Sequence, residues 1–551
     1  MICYVCKYTP VELFAGFGEE CIVLDNMPDN FDLSDRIAHT NLCGFGKSVI
    51  QSALSGGVDE LVLVNCCDTM RRVYDIIKDS GTCRFLYLID LPHKKGCCEK
   101  EAFAKSLLRL KSSYGEYSDR QFDRDVFLAT FPPPQKAAGP YVGILGVRAG
   151  HEMEAMIRES MALPVRNLTC VANRSLSVEA DTLENTSDEA KLFTLYADAL
   201  LSQLPCCRMN DTTGRKRLYN DPNLQGVIYH TIKFCDYYGF EYSEIKNELT
   251  VPLLKLESDY TRQSKGQLQT RIEAFSETLS GLEVKEKKKM SSAEKFFVAG
   301  IDSGSTSTDV VILDQSKNIV ASIIIPTGGG AQASAEKCLE EALRKADIEH
   351  ASISRIVTTG YGRAYINGSD ESITEITCHA KGAHHLNPAV RTIIDIGGQD
   401  SKVIRIDEAG TVKNFVMNDK CAAGTGRFLE MMARTLGVSL EEMSTLGLNW
   451  KEDVVISSMC TVFAESEVVS LVAQNKAVPD IIHGLNNSVT AKVSTLVNRL
   501  GLEGDYIMTG GVAMNLGVVR ALENKLDIKL YICDEAQLCG ALGAALFALD
   551  E

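Results

Sequence analysis

The chain has 551 residues, of which 45% are hydrophobic and 24% are charged, and its formal net charge is -16. This length exceeds a single hydrophobic core and predicts about three or four domains or subdomains. The acidic balance argues against a general nucleic-acid surface, which needs clustered Lys and Arg. No apolar run approaches the roughly 18 residues that cross a bilayer, and the N-terminal MICYVCKYTP lacks a signal-peptide pattern. We therefore expect a cytoplasmic protein that binds neither nucleic acid nor membrane.

Cysteine is the anomaly of the composition, because the chain has 19 cysteines and no export signal. A reducing cytosol disfavours disulfides, so a set of this size is more typical of metal or iron-sulfur sites. Thirteen of the 19 precede residue 236. This uneven distribution predicts two parts with different chemistry.

The N-terminal half alternates short apolar segments with segments that are long enough for helices. The strand candidates are LVLVN (61–65), FLYLIDL (85–91), YVGILGV (141–147), GVIYHTI (226–232) and VPLLKLE (251–257). Such segments are typical of buried parallel strands, and they predict a doubly wound α/β fold that binds ligands at the carboxyl ends of its strands. Cys67 and Cys235 follow two of these strands, where cluster ligands would lie. A buried structural cysteine explains either position equally well.

The stretch GLEVKEKKKMSSAEK (281–295) separates the two halves of the chain. It is charged, contains serine and shows no apolar periodicity, and it ends where the strand-like FFVAGID begins. We predict an N-terminal region of two α/β subdomains at residues 1–283. A linker at 284–295 and a second domain at 296–551 follow.

The second half contains an internal repeat. Residues 296–322 and 391–415 both read as an apolar strand, an Asp, a glycine-rich turn and a second apolar strand. A third glycine turn, MTGGVAMN (508–515), follows a strand and precedes a helix. Exposed backbone N–H groups in such turns suit phosphate oxygens. The candidate nucleotide-binding residues are Gly304, Ser305, Thr306, Gly397, Gly398, Gln399, Gly510 and Gly511.

One acidic residue ends the first strand of each repeat. Asp302 and Asp395 are the candidate catalytic residues, because carboxylates beside phosphate-binding turns can position Mg²⁺ and water. On a possible helix, TEITCHAKG places Glu375 and His379 four residues apart. An isolated pair of this kind is more often a polar contact than a metal site, so it stays unassigned.

The segment NDKCAAGTGRF (418–428) puts Cys421 directly before a glycine-rich helix start. A small buried residue could satisfy the tight turn. Alternatively, Cys421 is a metal or cluster ligand, because a helix N-terminus favours a thiolate.

The order of the glycine turns resembles the actin, hexokinase and Hsp70 superfamily, which implies a duplicated ATPase fold for residues 296–551. More closely, this half resembles the activator ATPases of 2-hydroxyacyl-CoA dehydratases and related benzoyl-CoA reductase subunits, of the BadF/BadG/BcrA/BcrD type. The similarity lies in IDSGSTSTD, TTGYGR, DIGGQDSKVI, NDKCAAGTGRFLE, CTVFAESEV, MTGGVAMN and GALGAAL. It implies a homodimer that binds ATP and Mg²⁺ and holds one 4Fe-4S cluster at its interface. The matching ligand positions are Cys421 and Cys460, which favours the thiolate interpretation of Cys421.

Most of the N-terminal half resembles the iron-sulfur D-component of 2-hydroxyglutaryl-CoA dehydratase. The similar segments are CKYTPVELFAGFG, NLCGFGKS, NCCDTMRRVYD, PCCRM, GVIYHTIKFCDYYGFE and LLKLESDYTRQSKGQLQTRIEAF. Six cysteines fit the family's positions: Cys6, Cys43, Cys67, Cys170, Cys206 and Cys235. Six thiolates suit two bridged cubanes, as in the related double-cubane (8Fe-9S) proteins, although a single 4Fe-4S centre stays open. Cys66 and Cys207 are adjacent alternatives to Cys67 and Cys206.

These resemblances imply an ATP-dependent, low-potential electron-transfer protein. Reduced ferredoxin or flavodoxin would be the donor, and a small molecule or an acyl-CoA the final acceptor. The main alternative is a 2-hydroxyacyl-CoA dehydratase fused to its activator, although those enzymes generally pair two different iron-sulfur subunits. A sugar or glycerol kinase would not need Cys421 and Cys460. A regulator that binds nucleotide and has structural cysteines is the last alternative.

Overall fold

The computed structural model describes residues 1–131, 139–176, 186–262, 265–280, 296–418, 422–456 and 461–550. The chain divides into two compact units, Met1–Leu279 and Ser280–Glu551. The predicted linker, residues 284–295, lies outside the described residues, so the domain limits stay predictions. No helix in the described ranges combines the length and the apolar character of a membrane span.

The N-terminal unit contains two four-stranded sheets in which every described strand pairing is parallel. The first sheet has the strand order Cys21–Val23, Ile2–Tyr4, Glu60–Val64 and Phe85–Ile89. The second has the order Val165–Asn167, Tyr141–Gly146, Leu224–Ile232 and Leu253–Ser258. All five strands predicted from apolar segments are present, so the α/β fold is confirmed for this unit.

Helices connect these strands because parallel neighbours need crossover connections. The α-helices are Val11–Ala15, Gly44–Leu54, Asp68–Ser80, Cys97–Ser118, Arg124–Ala129, His151–Ser160, Glu189–Ser202, Asp236–Glu248 and Lys265–Ser280. Short 3-10 helices span Ser34–Arg36 and Thr213–Leu218. Aromatic side chains join helix to sheet: Tyr114 packs edge-on against Phe14 and Phe85, with ring centroids 5.1 and 5.0 Å apart.

The C-terminal unit contains two five-stranded sheets with the same plan. One has the order Ile319–Pro326, Ser307–Asp314, Phe297–Ser303, Ile353–Thr359 and Glu371–Ser372. The other has the order Val412–Asn418, Ser401–Ile406, Val390–Ile396, Asp505–Thr509 and Leu530–Tyr531. In each sheet the first three strands along the chain form an antiparallel meander, and the fourth lies parallel to the first. The predicted duplication is therefore confirmed.

The helices of this unit follow the two meanders. The α-helices are Ala331–Ala346, Glu375–Leu386, Gly426–Leu436, Leu440–Leu446, Thr461–Ala473, Val478–Leu500, Leu516–Leu526 and Cys539–Asp550. The 3-10 helices are His350–Ser352, Arg363–Tyr365, Gly511–Met514 and Ala536–Leu538. The last α-helix carries the GALGAAL segment, and its small residues Ala541, Ala544 and Ala545 are buried in the core of the first sheet.

Candidate functional site

The glycine-rich turns of both repeats line a cleft of about 680 Å³ in the C-terminal unit. Its size is typical of a site for a small molecule or nucleotide. The predicted residues that line it are Asp302, Gly304, Ser305, Thr306, Asp395, Gly397, Gly398, Gly510 and Gly511. Gln399 is exposed and does not line the cleft.

The two glycine-rich turns close in the same way and lie against each other. The Gly304 amide donates a hydrogen bond to the Ser307 carbonyl at 2.9 Å, and the Gly397 amide donates to the Asp400 carbonyl at 3.0 Å. A Cβ atom on Gly398 would come within 2.0 Å of Thr306 Oγ1. Position 398 therefore requires glycine, and the two turns can present their amides to one ligand.

Each candidate catalytic carboxylate lies close to a glycine that directly follows a parallel strand. Gly360 and Gly510 both have φ of +84°. A Cβ atom would lie 2.4 Å from Asp302 Oδ1 at the first position and 2.8 Å from Asp395 Oδ1 at the second. The two halves of the repeat thus build the same environment around their Asp, and a side chain fits in neither place.

A buried lysine ties together the acidic groups at the base of the cleft. Lys402 Nζ lies 2.8 Å from Asp400, 3.2 Å from Asp395 and 3.4 Å from Glu375. Thr509 Oγ1 donates a hydrogen bond to Asp395 Oδ1 at 2.9 Å. A buried cation is tolerated only when it is paired in this way.

The buried carboxyl groups differ in their acidity. Burial and the neighbouring Asp309 raise the pKa of Asp302 to about 7, and burial raises the pKa of Glu375 to about 8. Burial alone would also raise the pKa of Asp395, but His379 and Lys402 outweigh it and lower that pKa. At neutral pH the cleft therefore holds an ionised Asp395 beside an Asp302 that is close to its titration midpoint.

The second turn is bonded to the helix that follows the Cys421 segment. The Gly426 amide donates to the Gly397 carbonyl at 2.9 Å, and the Arg427 amide donates to the Gly398 carbonyl at 2.8 Å. Cys421 and Cys460 lie outside the described residues. The helix Gly426–Leu436 therefore begins on the wall of the cleft, shortly after Cys421 along the chain.

The N-terminal unit has a cavity in which cysteines converge. Its lining includes Cys6, Cys43, Cys66, Cys67, Cys170, Cys206 and Cys235. All six predicted ligands are among these seven, and Cys66 joins them, whereas Cys207 does not line the cavity. Five of the seven follow strands of the two parallel sheets, and such strand ends are where α/β folds bind ligands.

Three of these cysteines occupy N-cap positions of helices. Cys43, Cys67 and Cys235 precede the helices that begin at Gly44, Asp68 and Asp236. Burial raises the pKa of the Cys43 and Cys235 thiols, and a hydrogen bond with Cys66 together with burial raises the pKa of Cys67; the backbone amides of Gly46, Met70 and Tyr238, three residues further on, act in the opposite direction. The positive end of a helix also stabilises a thiolate. The helix starts therefore only partly offset the effect of burial on these three thiols.

Polar groups surround the sulfur of Cys206. A hydrogen bond from Cys207 lowers the pKa of the Cys206 thiol well below its ordinary value; Arg208 and Tyr238 act in the same direction, against burial. The Tyr238 hydroxyl lies 3.6 Å from Cys206 Sγ. Burial and the Cys206 charge raise the pKa of Cys207. Of the two adjacent cysteines, Cys206 therefore lines the cavity and has the more acidic thiol.

Among the described residues, no three His, Cys, Asp or Glu side chains converge closely enough to hold a single metal ion. The described lining of the cavity instead has seven thiols together with Lys7, Arg148 and Arg208, and it contains no carboxylate. Cysteine thiolates are the usual ligands of iron-sulfur clusters, and the cations in the same lining suit an anionic group.

Comparison with known proteins assigns each unit to a family. A model of the BadF/BadG/BcrA/BcrD ATPase family matches residues 299–548. The 2-hydroxyisocaproyl-CoA dehydratase activator of Clostridioides difficile is 46% identical over 255 residues, which are 46% of this chain and 96% of that protein. The chain belongs to the BadF/BadG/BcrA/BcrD ATPase family. A model of the 2-hydroxyglutaryl-CoA dehydratase D-component matches residues 6–131 and 134–279, so the chain joins this region to the ATPase in one polypeptide.

Two further relatives match the ATPase unit over almost their whole length. The activator of lactoyl-CoA dehydratase of Anaerotignum propionicum is 48% identical over 254 residues, covering 46% of this chain and 98% of the relative. The (R)-2-hydroxyglutaryl-CoA dehydratase activating ATPase of Acidaminococcus fermentans is 46% identical over 253 residues, covering 46% and 96%.

The sequence-based assignment misses several titratable residues of the ATPase cleft, among them Glu375, His379, Asp400 and Lys402. The helical spacing of Glu375 and His379 is visible in TEITCHAKG, but the sequence does not indicate that this helix end faces the cleft. For Lys402 a signal exists, since this lysine directly precedes the apolar pair Val403 and Ile404 within the strand SKVIRI. A buried lysine needs acidic partners, and Asp400 is two residues away.

Proposed function

We propose that the chain is an ATP-dependent, low-potential electron-transfer protein, in which the ATPase unit drives reduction of an iron-sulfur centre in the N-terminal unit. The observation that carries this proposal is the union, in one polypeptide, of a BadF-type ATPase with a cavity lined by seven cysteines. The relatives that resemble the ATPase unit are named as activators of separate dehydratases. Here a D-component-like region is already attached.

In the ATPase unit we assign the glycine turns to the phosphates of ATP. Asp395, which Lys402 and His379 keep ionised, is the proposed ligand of Mg²⁺. Asp302 has a pKa of about 7, so it is suited to orient the attacking water and to exchange a proton with it near neutral pH. Lys402 holds Asp395 and Asp400 in place and limits their mutual repulsion.

The bonds from Gly426 and Arg427 to the second turn suggest how nucleotide chemistry reaches the cysteine segment. When the contacts of Gly397 and Gly398 with phosphate change, the start of the helix Gly426–Leu436 must follow, because its first amides are bonded to that turn. The chain that leads into this helix includes Cys421. A rearrangement of the turn would therefore move Cys421 relative to the ATPase core.

We assign Cys421 and Cys460 to one 4Fe-4S cluster at the interface of a homodimer, with two thiolates from each chain. Cys6, Cys43, Cys67, Cys170, Cys206 and Cys235 are assigned to the N-terminal centre, with Cys66 as a neighbouring alternative. Bound at these thiolates, iron-sulfur clusters supply one-electron chemistry at low potential. We expect reduced ferredoxin or flavodoxin as donor and a small molecule or acyl-CoA as acceptor.

Metal analysis tests the proposed clusters directly. Iron and acid-labile sulfide would be measured in the anaerobically purified chain, with EPR after reduction. About ten iron atoms per chain would correspond to a double cubane plus half of a shared cubane. An iron-free preparation that still hydrolyses ATP would contradict the proposal.

The D-component match favours a second candidate, a 2-hydroxyacyl-CoA dehydratase fused to its activator. It predicts a single N-terminal cubane and therefore about six iron atoms per chain. It also predicts that water is eliminated from a 2-hydroxyacyl-CoA when ATP and a reductant are supplied. Such turnover, measured by chromatography of the CoA esters, would replace the first proposal with this one.

A further inference from the structure

The cavity of the N-terminal unit carries an unbalanced positive charge. Lys7, Arg148 and Arg208 line it together with the seven cysteines, and no Asp or Glu is among its described lining residues. A buried cation is costly unless an anion lies nearby. Three cations in one small cavity therefore indicate that its thiols, or a group that these thiols bind, carry negative charge.

Two of the three cations are held by oxygen atoms of the protein. Lys7 Nζ donates to Asn173 Oδ1 at 2.8 Å and to the Leu204 carbonyl. Arg148 Nη1 donates to the Leu24 carbonyl at 2.6 Å, and its Nη2 donates to the Val5 carbonyl. These charged groups are fixed in the wall and contribute a general positive potential.

Arg208 differs because its terminal nitrogens contact sulfur. Nη1 lies 3.7 Å from Cys206 Sγ and Nη2 lies 4.0 Å from Cys235 Sγ. The guanidinium also lies 5.5 Å from the ring centres of both Tyr237 and Tyr238. Its Nε is buried and has no hydrogen-bond partner among the described residues. A forked cation thus spans two cysteines from separate segments, with one donor still available.

We propose that Arg208 is a positioning residue that sets the reduction potential of this site by bridging Cys206 and Cys235 and stabilising the more negative, reduced state of the group they bind. The inference rests on the proposed function, because it assumes a redox group at these thiolates. Net charge and hydrogen bonds to sulfur are the terms that tune such potentials. Arginine suits the task because it stays charged and presents its donors as a fork, whereas lysine offers a single point charge.

The test compares Arg208→Gln and Arg208→Lys with Arg217→Gln, which alters an exposed arginine nearby in the sequence. Each full-length chain would be purified anaerobically in a Cys421→Ser background, so that the signal comes from the N-terminal unit. Iron per chain is measured first, and the midpoint potential is then found by EPR-monitored redox titration. Arg208→Gln should keep its iron and be at least tenfold harder to reduce, a downward shift of about 59 mV or more for one electron.

Arg208→Lys should shift the potential in the same direction by a smaller amount, and Arg217→Gln should not shift it. Equal iron and an unchanged or raised potential in Arg208→Gln would overturn the inference while the proposed function stands. If Arg208→Gln fails to bind iron, Arg208→Lys decides: a downward shift supports the inference, and an unchanged or raised potential overturns it. If the parent chain, which carries only Cys421→Ser, contains no iron but still hydrolyses ATP, the proposed function is refuted, and the inference with it.

Discussion

The two units place their sites at strand ends of α/β sheets but surround them with opposite charge. In the ATPase cleft, Lys402 faces Glu375, Asp395 and Asp400, so acidic groups are in excess. In the cysteine cavity, three cations are present and carboxylates are absent from the described lining. An acidic cleft suits a divalent cation that accompanies phosphate, whereas a basic cavity suits an anionic group. The sign of the buried charge therefore indicates the kind of ligand even where the fold does not.

Removing one thiol from the cavity is the strongest test of this difference between the two sites. Cys206→Ser should lose the iron of the N-terminal centre, because a serine hydroxyl does not replace a buried thiolate ligand. Cys207→Ser is the matched control, since Cys207 is adjacent but does not line the cavity. Iron and sulfide analysis of the two variants measures the effect. Loss of iron from Cys207→Ser with retention in Cys206→Ser would exchange the roles of the two residues.

In the ATPase cleft, the corresponding change is Asp395→Asn. It keeps the shape of the side chain but removes the charge proposed to hold Mg²⁺, so kcat for ATP hydrolysis should fall about 10²–10³-fold. Asp505→Asn, at the exposed start of a strand that pairs with the Asp395 strand, should leave the rate unchanged. Steady-state phosphate release compares them. Wild-type rates in Asp395→Asn would remove this residue from the mechanism.

The glycine beside Asp302 offers a sharper test of the duplicated geometry. Gly360→Ala should destabilise the ATPase unit by about 2–4 kcal/mol, since it combines a positive φ with a close contact to the carboxylate. Gly368→Ala is the control, because its φ of +82° is nearly the same but no atom lies within 4 Å. It should cost only about 1 kcal/mol. Denaturant unfolding followed by fluorescence of Trp450, the single tryptophan, would compare the two, and equal costs would contradict the proposed contact.

The fold could be predicted from the sequence because apolar segments define the strands and the repeat defines the duplication. Cys67 and Cys235 could be predicted from their places after apolar segments, whereas the other four cysteines followed from the resemblance to the D-component. The cations around these cysteines could not be predicted, since Lys7, Arg148 and Arg208 are far apart in the chain, and a lysine or arginine beside a cysteine is typical of a surface. Only the packing of the two sheets brings them into one cavity.

A smaller effect is expected from His230, which is fully buried in the N-terminal unit. Burial lowers its pKa to about 4, so the unfolded chain binds a proton at higher pH than the folded chain does. The stability of this unit should therefore fall as the pH decreases from about 6.5 to about 4, by on the order of 3 kcal/mol. His230→Gln should flatten that part of the profile.

Hydrogen exchange of the strand Leu224–Ile232, corrected for intrinsic exchange rates, would report this loss. The strand Val390–Ile396 in the ATPase unit is the internal control. A profile that His230→Gln leaves unchanged would show that another group titrates in this range.

The central claim is that electron transfer into the N-terminal unit requires ATP hydrolysis. The direct measurement is anaerobic stopped-flow absorbance of the iron-loaded chain mixed with reduced ferredoxin or flavodoxin, with ATP and Mg²⁺, with a non-hydrolysable analogue, or without nucleotide. We predict that the N-terminal centre is reduced only with ATP and Mg²⁺, and that Asp395→Asn abolishes this ATP-driven reduction. Equally fast reduction without nucleotide would contradict the account.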